Sequence, residues 1–311
     1  MEKTLYINKL EPNQKISDYF LIQKLDRKLD KNGKEYIHLE LADNSGFVTA
    51  KIWNSNLDNC LNCKSGDVVY VTGKTEQFNE SLQINVSALQ KYNEEINFDL
   101  FVKTSSIDLK EIKSEINLFI DRISNKSLRD FLTFQFADKE FSEKYFLFSA
   151  AKINHHEYKG GLAEHVLEML RLSESFTKIY PNLNKDLIYS GIILHDIGKL
   201  FELDFNGVKT EYTPEGKLLG HIYLGASWVD SKLPEDIDKT IRLKLIHIIL
   251  SHHGLLEYGS PIKPMIIEAM VVHIVDEASA KINSAKKYLD KNNTSFFTEY
   301  ISMLQTELFI G

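Results

Sequence analysis

The chain has almost no cysteine: Cys60 and Cys63 are the only two in 311 residues. That excludes a disulfide framework and suits a reducing compartment. Cys60-Leu-Asn-Cys63 has the spacing of half a zinc site, but no second pair exists to complete four ligands, so both thiols are read as structural. Long apolar runs are missing as well. None approaches the roughly 20 residues of a membrane span, and Met1 to Gln14 contains no apolar signal-peptide core. A soluble, cytoplasmic protein with no membrane partner is expected. The third shortage is of positive charge: 37 basic side chains face 44 acidic ones, a net charge of −7. This argues against tight, sequence-independent binding of duplex nucleic acid. It does not exclude a nucleic-acid substrate whose phosphates meet bound cations and local lysines.

What is present is ordinary globular composition, 43% hydrophobic and 26% charged, in a chain long enough to predict more than one unit. No internal repeat or low-complexity linker interrupts it. From about Ile16 to Tyr92 the pattern has period two. Ile37, Leu39 and Leu41 share one face; Asp43-Asn-Ser-Gly46 is a turn; Val48, Ala50 and Ile52 alternate against Phe47, Thr49, Lys51 and Trp53. Val68 to Thr72 and Leu82 to Ala88 add strands, with Ser65-Gly-Asp67 as a turn. About five short strands in this length predict a small barrel of the OB-fold kind. Two uses of the Phe47/Lys51/Trp53 face are open. The rings can stack on unpaired bases while the lysine meets phosphate, or they can pack under a neighbouring element.

From about Ser105 to Ala151 the apolar residues Ile112, Ile116, Phe119 and Ile120 recur at helical spacing, and the remainder reads as helical. The expected partition is a β-domain over 1–100, a helical connector over 101–150 and a histidine-rich helical domain over 151–311. All ten histidines except His38 lie between His155 and His273. They sit in distinct motifs: Gly160-Gly-Leu-Ala-Glu-His165, His195-Asp-Ile-Gly-Lys199, Gly220-His221, Ser251-His-His-Gly254 and His273-Ile-Val-Asp276. Imidazole and carboxylate together suit first-row divalent ions such as Mn, Fe, Co and Zn. An adjacent His-Asp pair near a helix end can offer its nitrogen to one ion and its carboxylate as a bridge to another. Side chains from separate helices converge in bundle cores, where such sites are commonly built.

This ordered set resembles the HD-domain metallophosphohydrolase superfamily. The fuller stretches from Asn154 to His165, from Tyr189 to Lys199 and from Leu250 to Pro261 are similar to the YhaM family, whose members are 3′→5′ exoribonucleases with an OB-type domain before an HD domain. A cyclic-dinucleotide phosphodiesterase of the HD-GYP kind would show Gly-Tyr-Pro soon after its paired histidines; here the run is Glu257-Tyr-Gly-Ser-Pro261. The resemblance implies an α+β multidomain fold, an OB barrel followed by an all-α HD bundle, covering nearly the whole chain. It implies that His165, His195, Asp196 and Asp276 bind a first ion, and that Asp196 bridges to a second held by His221 and by His252, His253 or both. It also implies manganese as the working metal, single-stranded RNA (or single-stranded DNA) as substrate, and nucleoside 5′-monophosphates as products.

Lys199, one turn after the His-Asp pair, is placed to meet the scissile phosphate, and Asp196 and Lys199 are the expected catalytic pair. His155 and His156, before a Gly-Gly turn, are candidates to line the substrate pocket. His247 and His273 are read as structural. Two rival readings remain: a phosphohydrolase of small nucleotides or cyclic dinucleotides, for which the front β-domain has no evident use, and a non-catalytic binder of single-stranded nucleic acid. Assembly into a dimer or ring would help a processive enzyme surround its strand, though no residue pattern encodes it.

Overall fold

The computed structural model describes residues 2–60, 62–78, 81–102, 105, 107–149, 158–205, 210–289 and 296–311. His155 and His156 lie outside the described residues. The chain divides into two compact units, with the boundary falling between Val102 and Ser105.

The first unit is a closed barrel of β1 (Lys15–Leu29), β2 (Glu35–Asp43), β3 (Gly46–Ile52), β4 (Val68–Phe78) and β5 (Ser81–Lys91), in the order β1-β2-β3-β5-β4. β1 pairs antiparallel with β2 and β4, whereas β3 and β5 run parallel, so closure leaves no open sheet edge. This is the OB topology, and the period-two pattern explains it. The inward set, including Phe20, Ile22, Leu39, Leu41, Ala50, Val71, Ile84 and Val86, is completely buried. Each large member contributes roughly 1.5–3 kcal/mol of burial free energy. A two-residue turn, Asn44-Ser45, joins β2 to β3 where Asp43 pairs with Gly46. Cys63 packs against the barrel core, and burial pushes its thiol pKa up.

The N-terminal segment is fastened to this barrel by a buried ion pair. Lys3 Nζ lies 3.2 Å from Asp43 Oδ2, with both side chains fully buried. It donates to the carbonyls of Leu5 and Tyr19 at 2.7 Å and sits 4.0 Å from the centre of the Phe20 ring. Burial lowers the Lys3 pKa, with Asp43 and Asp18 opposing. Phe101, Leu21, Ala42 and Val68 form a second small cluster, so the chain just beyond residue 100 still belongs to the barrel unit.

The second unit contains α1 (Leu109–Asp121), α2 (Lys126–Ala137), α3 (Lys139–Leu147), α4 (Gly161–Ile179), α5 (Lys185–Leu194), α6 (Lys199–Glu202), the short pair β6 (Leu203–Phe205) and β7 (Thr210–Tyr212), α7 (Pro214–Lys232), α8 (Lys239–Ser251) and α9 (Ile267–Leu289). Side chains of Asp108, Asn125, Asp138, Asn184, Thr213 and Asp238 cap helix N-termini, each satisfying a backbone N–H the helix cannot. Helices α1 to α3, expected within a connector over 101–150, fall inside the second unit. Ile112, Ile116, Phe131, Leu132, Tyr145 and Phe146 share one core with Leu162, Leu167, Ile192, Ile248 and Val272. The apolar face of α1 to α3 covers helices α4, α5, α8 and α9. Among the described residues, no helix is long and apolar enough to cross a membrane.

Candidate metal centre

The centre is assembled at helix ends and kinks, where backbone geometry frees side chains to converge. α4 begins after Gly160, whose φ of 81° is a left-handed conformation suited to glycine, and it carries His165 into the core. α5 ends at Leu194, so His195 and Asp196 occupy the turn into α6. That turn is packed directly on the backbone of α7: a Cβ at Gly198 would lie 1.9 Å from the His221 carbonyl oxygen. Within α7, Gly220 leaves helical geometry (φ 72°, ψ 157°) immediately before His221. His252 and His253 follow the end of α8, and Asp276 projects from α9.

These residues form two groups whose donor atoms lie within 4.8 Å of one another: His165, His195 and Asp276 in one, Asp196, His221, His252 and His253 in the other. Asp196 faces both. Its Oδ2 is 3.3 Å from His195 Nε2, and its Oδ1 is 3.5 Å from His221 Nε2 and 3.6 Å from His252 Nε2. His165 Nε2 is 3.1 Å from Asp276 Oδ1.

The opposite ring nitrogen of each histidine is anchored. His195 Nδ1 is 2.7 Å from the Ile192 carbonyl, His252 Nδ1 is 2.7 Å from that of Ile249, and His253 Nδ1 is 2.7 Å from that of Tyr258. A carbonyl only accepts, so these Nδ1 atoms carry the proton and donate, and in the neutral rings the Nε2 lone pairs face the centre. His221 reaches the same state through a carboxylate: Glu202 Oε1 accepts from its Nδ1 at 3.2 Å and from its backbone N–H at 3.1 Å. For His165 the anchor is a relay. Ser279 Oγ donates to Glu168 Oε2 at 2.6 Å and therefore accepts from His165 Nδ1 at 2.9 Å. Anchoring of this kind fixes tautomer and aim in metal sites.

Four atoms then stand out. His195 Nε2, His221 Nε2, His252 Nε2 and Asp196 Oδ1 are buried and make no hydrogen bond. Each costs on the order of 1–3 kcal/mol if nothing satisfies it, and all four belong to one constellation of nitrogen and carboxylate donors. The residues present fit divalent cations of the imidazole- and carboxylate-binding type.

Electrostatics agree. Burial alone would raise the Asp196 carboxyl, but Lys199, His195 and His221 hold it well below the usual carboxylate range. Burial works the same way on Asp276 and is outweighed by the neighbouring imidazoles of His165 and His195. Burial pushes His252 down, reinforced by His253 and His195; burial and His221 push His253 down. His195 moves the other way, because Asp196 and Asp276 outweigh its burial. Lys199 Nζ is 2.6 Å from Asp196 Oδ2, largely buried at the rim of a cavity of about 380 Å³. That cavity is also lined by Asp196, His253, Tyr258, His273 and Asp276.

Outside the two groups, His273 Nδ1 bonds the His252 carbonyl at 2.9 Å, and its ring lies where a Cβ on Gly254 (φ +75°) would be, 2.3 Å away. His247 Nε2 accepts the Met265 N–H at 2.8 Å. On the barrel, Phe47 is exposed. Lys51 Nζ lies 5.6 Å from the Trp53 ring centre and 4.8 Å from that of Phe78, and Tyr36 packs on Trp53 at 5.2 Å. The face expected from Phe47, Lys51 and Trp53 therefore also contains Tyr36 and Phe78. The supporting residues Glu202, Glu168 and Ser279 carry no motif and went unread in the sequence.

Comparison with known proteins matches this architecture. Residues 22–92 match the OB-fold nucleic acid binding domain family, and residues 162–281 match the HD domain family. The chain is 33% identical over 302 residues to the 3′-5′ exoribonuclease YhaM of Bacillus subtilis (strain 168), covering 96% of this chain and 95% of that protein. It is 33% identical over 297 residues to the protein of the same name in Shouchella clausii (strain KSM-K16), covering 94% and 92%. With a third of the residues identical over more than nine-tenths of both chains, this chain belongs to the YhaM family.

Proposed function

We infer that this protein is a metal-dependent 3′→5′ exoribonuclease that shortens single-stranded RNA, releasing nucleoside 5′-monophosphates. One observation carries the reading: three Nε2 atoms and Asp196 Oδ1 stand buried and unpaired, with the second nitrogen of each ring bound to an acceptor. Nothing in a purely structural core repays that arrangement.

In this reading His165, His195, Asp196 and Asp276 hold one divalent ion, and Asp196, His221, His252 and His253 hold a second, with manganese the favoured metal. Two such ions, when bound, lower the pKa of water and stabilise charge on a phosphoryl group. The chain's own residues do the rest. Asp196 presents one oxygen to each donor group, so its carboxylate would be shared between the two. Lys199, held beside Asp196, turns its ammonium to the non-bridging oxygens of the scissile phosphate as charge accumulates there. Phe47, Trp53, Tyr36 and Phe78 offer ring faces for unpaired bases, and Lys51 among them offers a cation for phosphate. Single-stranded DNA has the same faces to stack, so the barrel is expected to hold it too. An RNA substrate places the work in the cytoplasm.

The test is digestion of 5′-labelled single-stranded RNA with Mn²⁺. A ladder of products shortening from the 3′ end, with nucleoside 5′-monophosphates released and Asp196→Asn inactive, is the expected result. Intact RNA beside a consumed mononucleotide or cyclic dinucleotide would overturn it, as would full activity in a folded Asp196→Asn variant.

A further inference from the structure

The cavity at the candidate centre has walls from two sources. Asp196, His253 and Asp276 stand on one part, and Ser302, Met303 and Gln305 of the C-terminal segment on another. That segment is a braced hairpin. Ile301 and Thr306 pair across the turn with a 2.9 Å hydrogen bond, Thr298 and Leu308 exchange bonds at 2.9 and 3.0 Å, and Phe297 packs edge-on to Phe309. Ile301 and Thr298 are buried, so the turn is pinned at its base.

We propose that this hairpin is the receptor for the 3′-terminal nucleoside, with Gln305 and Met303 contacting its base together with the Tyr258 ring. The assignment rests on the exoribonuclease reading and deepens it. Size is the first reason. About 380 Å³ is near the lower end of the roughly 300–1,000 Å³ typical of ligand pockets, room for one nucleotide beside the donor atoms rather than for a passing strand. Backbone is the second. Gln305 has φ +53°, a conformation glycine adopts freely and other residues rarely. The turn places a long amide on the cavity wall in a conformation that glycine would adopt at less cost, the kind of local strain that clusters at ligand sites.

Chemistry is the third reason. An amide carries both donors and acceptors and can turn to suit any base edge, while a thioether and a phenol ring give faces that do not discriminate between bases. An enzyme that removes every nucleotide in turn needs such a receptor. His253 Nδ1 bonds the Tyr258 carbonyl, so the ring's segment is held to the donor set by the same contact that aims the imidazole.

The experiment uses the full chain with Mn²⁺ and compares wild type with Gln305→Gly, Met303→Ala and the double variant. Gln305→Gly relieves the backbone and is expected to melt no lower than wild type. Metal content and hydrolysis of bis(p-nitrophenyl) phosphate, which carries no nucleoside, should stay within about twofold. KM for 5′-labelled single-stranded RNA should rise about five- to tenfold for Gln305→Gly, the size of one lost hydrogen bond, with kcat less affected. Unchanged RNA kinetics in the double variant would overturn the assignment. So would a parallel fall in diester hydrolysis and metal content, which would make the hairpin a support for the metal centre. Wild type that hydrolyses the diester but leaves RNA intact would instead remove the exoribonuclease reading itself.

Discussion

Lys199 Nζ and Asp196 Oδ2 lie 2.6 Å apart, joined across one turn at the start of α6. The ammonium therefore waits on the very carboxylate that faces both donor groups. Lys199→Ala should lower kcat on RNA by about a hundredfold, the usual loss when one preorganised charge partner of a transition state is removed. Metal content should persist, since the nitrogen donors remain. Single-turnover digestion with metal analysis of the same sample checks both; loss of metal in parallel with rate would assign Lys199 a purely structural part.

Metal removal has a pH signature whose sign follows from His195. Its folded pKa is raised, so in the metal-free protein its proton stabilises the fold below the unfolded value of about 6.5, and that contribution fades as pH rises through the folded pKa. An ion needs the neutral ring and must displace this proton. His252 and His253, held down by burial, offer no comparable competition near neutrality. The rise in Tm on adding Mn²⁺ to chelator-treated protein should therefore grow from pH 6 to pH 8. At about a hundredfold excess over Kd the stabilisation is about 2.7 kcal/mol. A pH-independent increment would contradict the assignment of His195 as a ligand.

The Glu168–Ser279–His165 relay predicts a defect in affinity without a defect in fold. Ser279→Ala removes the acceptor of the His165 Nδ1 proton, and metal affinity should fall by about tenfold to a hundredfold. Equilibrium titration with Mn²⁺ reads this directly, and activity should recover at high metal concentration. Activity that stays low at saturating metal would point to a different role.

Lys3 gives a prediction confined to the barrel unit. Its ion pair with Asp43 is fully buried, and Lys3→Met leaves the carboxylate without its cation. Hydrogen bonds from Ile7, Ser45 and the Ser45 hydroxyl remain to Asp43, which limits the damage. A loss of about 3 kcal/mol is expected by chemical denaturation, with metal content of the helical unit unchanged.

The barrel and the two convergent groups of His and Asp side chains were legible in sequence for different reasons. Strand alternation is local, so residues such as Leu39, Leu41, Ala50 and Ile52 declare a face within a few positions. The His and Asp donors sit in motifs because helix ends and glycine turns must accompany them. Support residues have no such signature: Ser279 meets His165 across 114 positions, and Glu202 is one acid among 44 until the kink at Gly220 brings His221 to it. The helices of 101–150 looked like a connector because their apolar face is periodic whatever it covers, and only packing shows that it covers the catalytic helices. Tyr36 and Phe78 come from other strands of the barrel than Trp53, and their convergence depends on sheet register.

The Nδ1 anchors have a further consequence. Imidazoles that are already aimed ask little rearrangement of an arriving cation, so loading either donor group should leave the surrounding helices undisturbed.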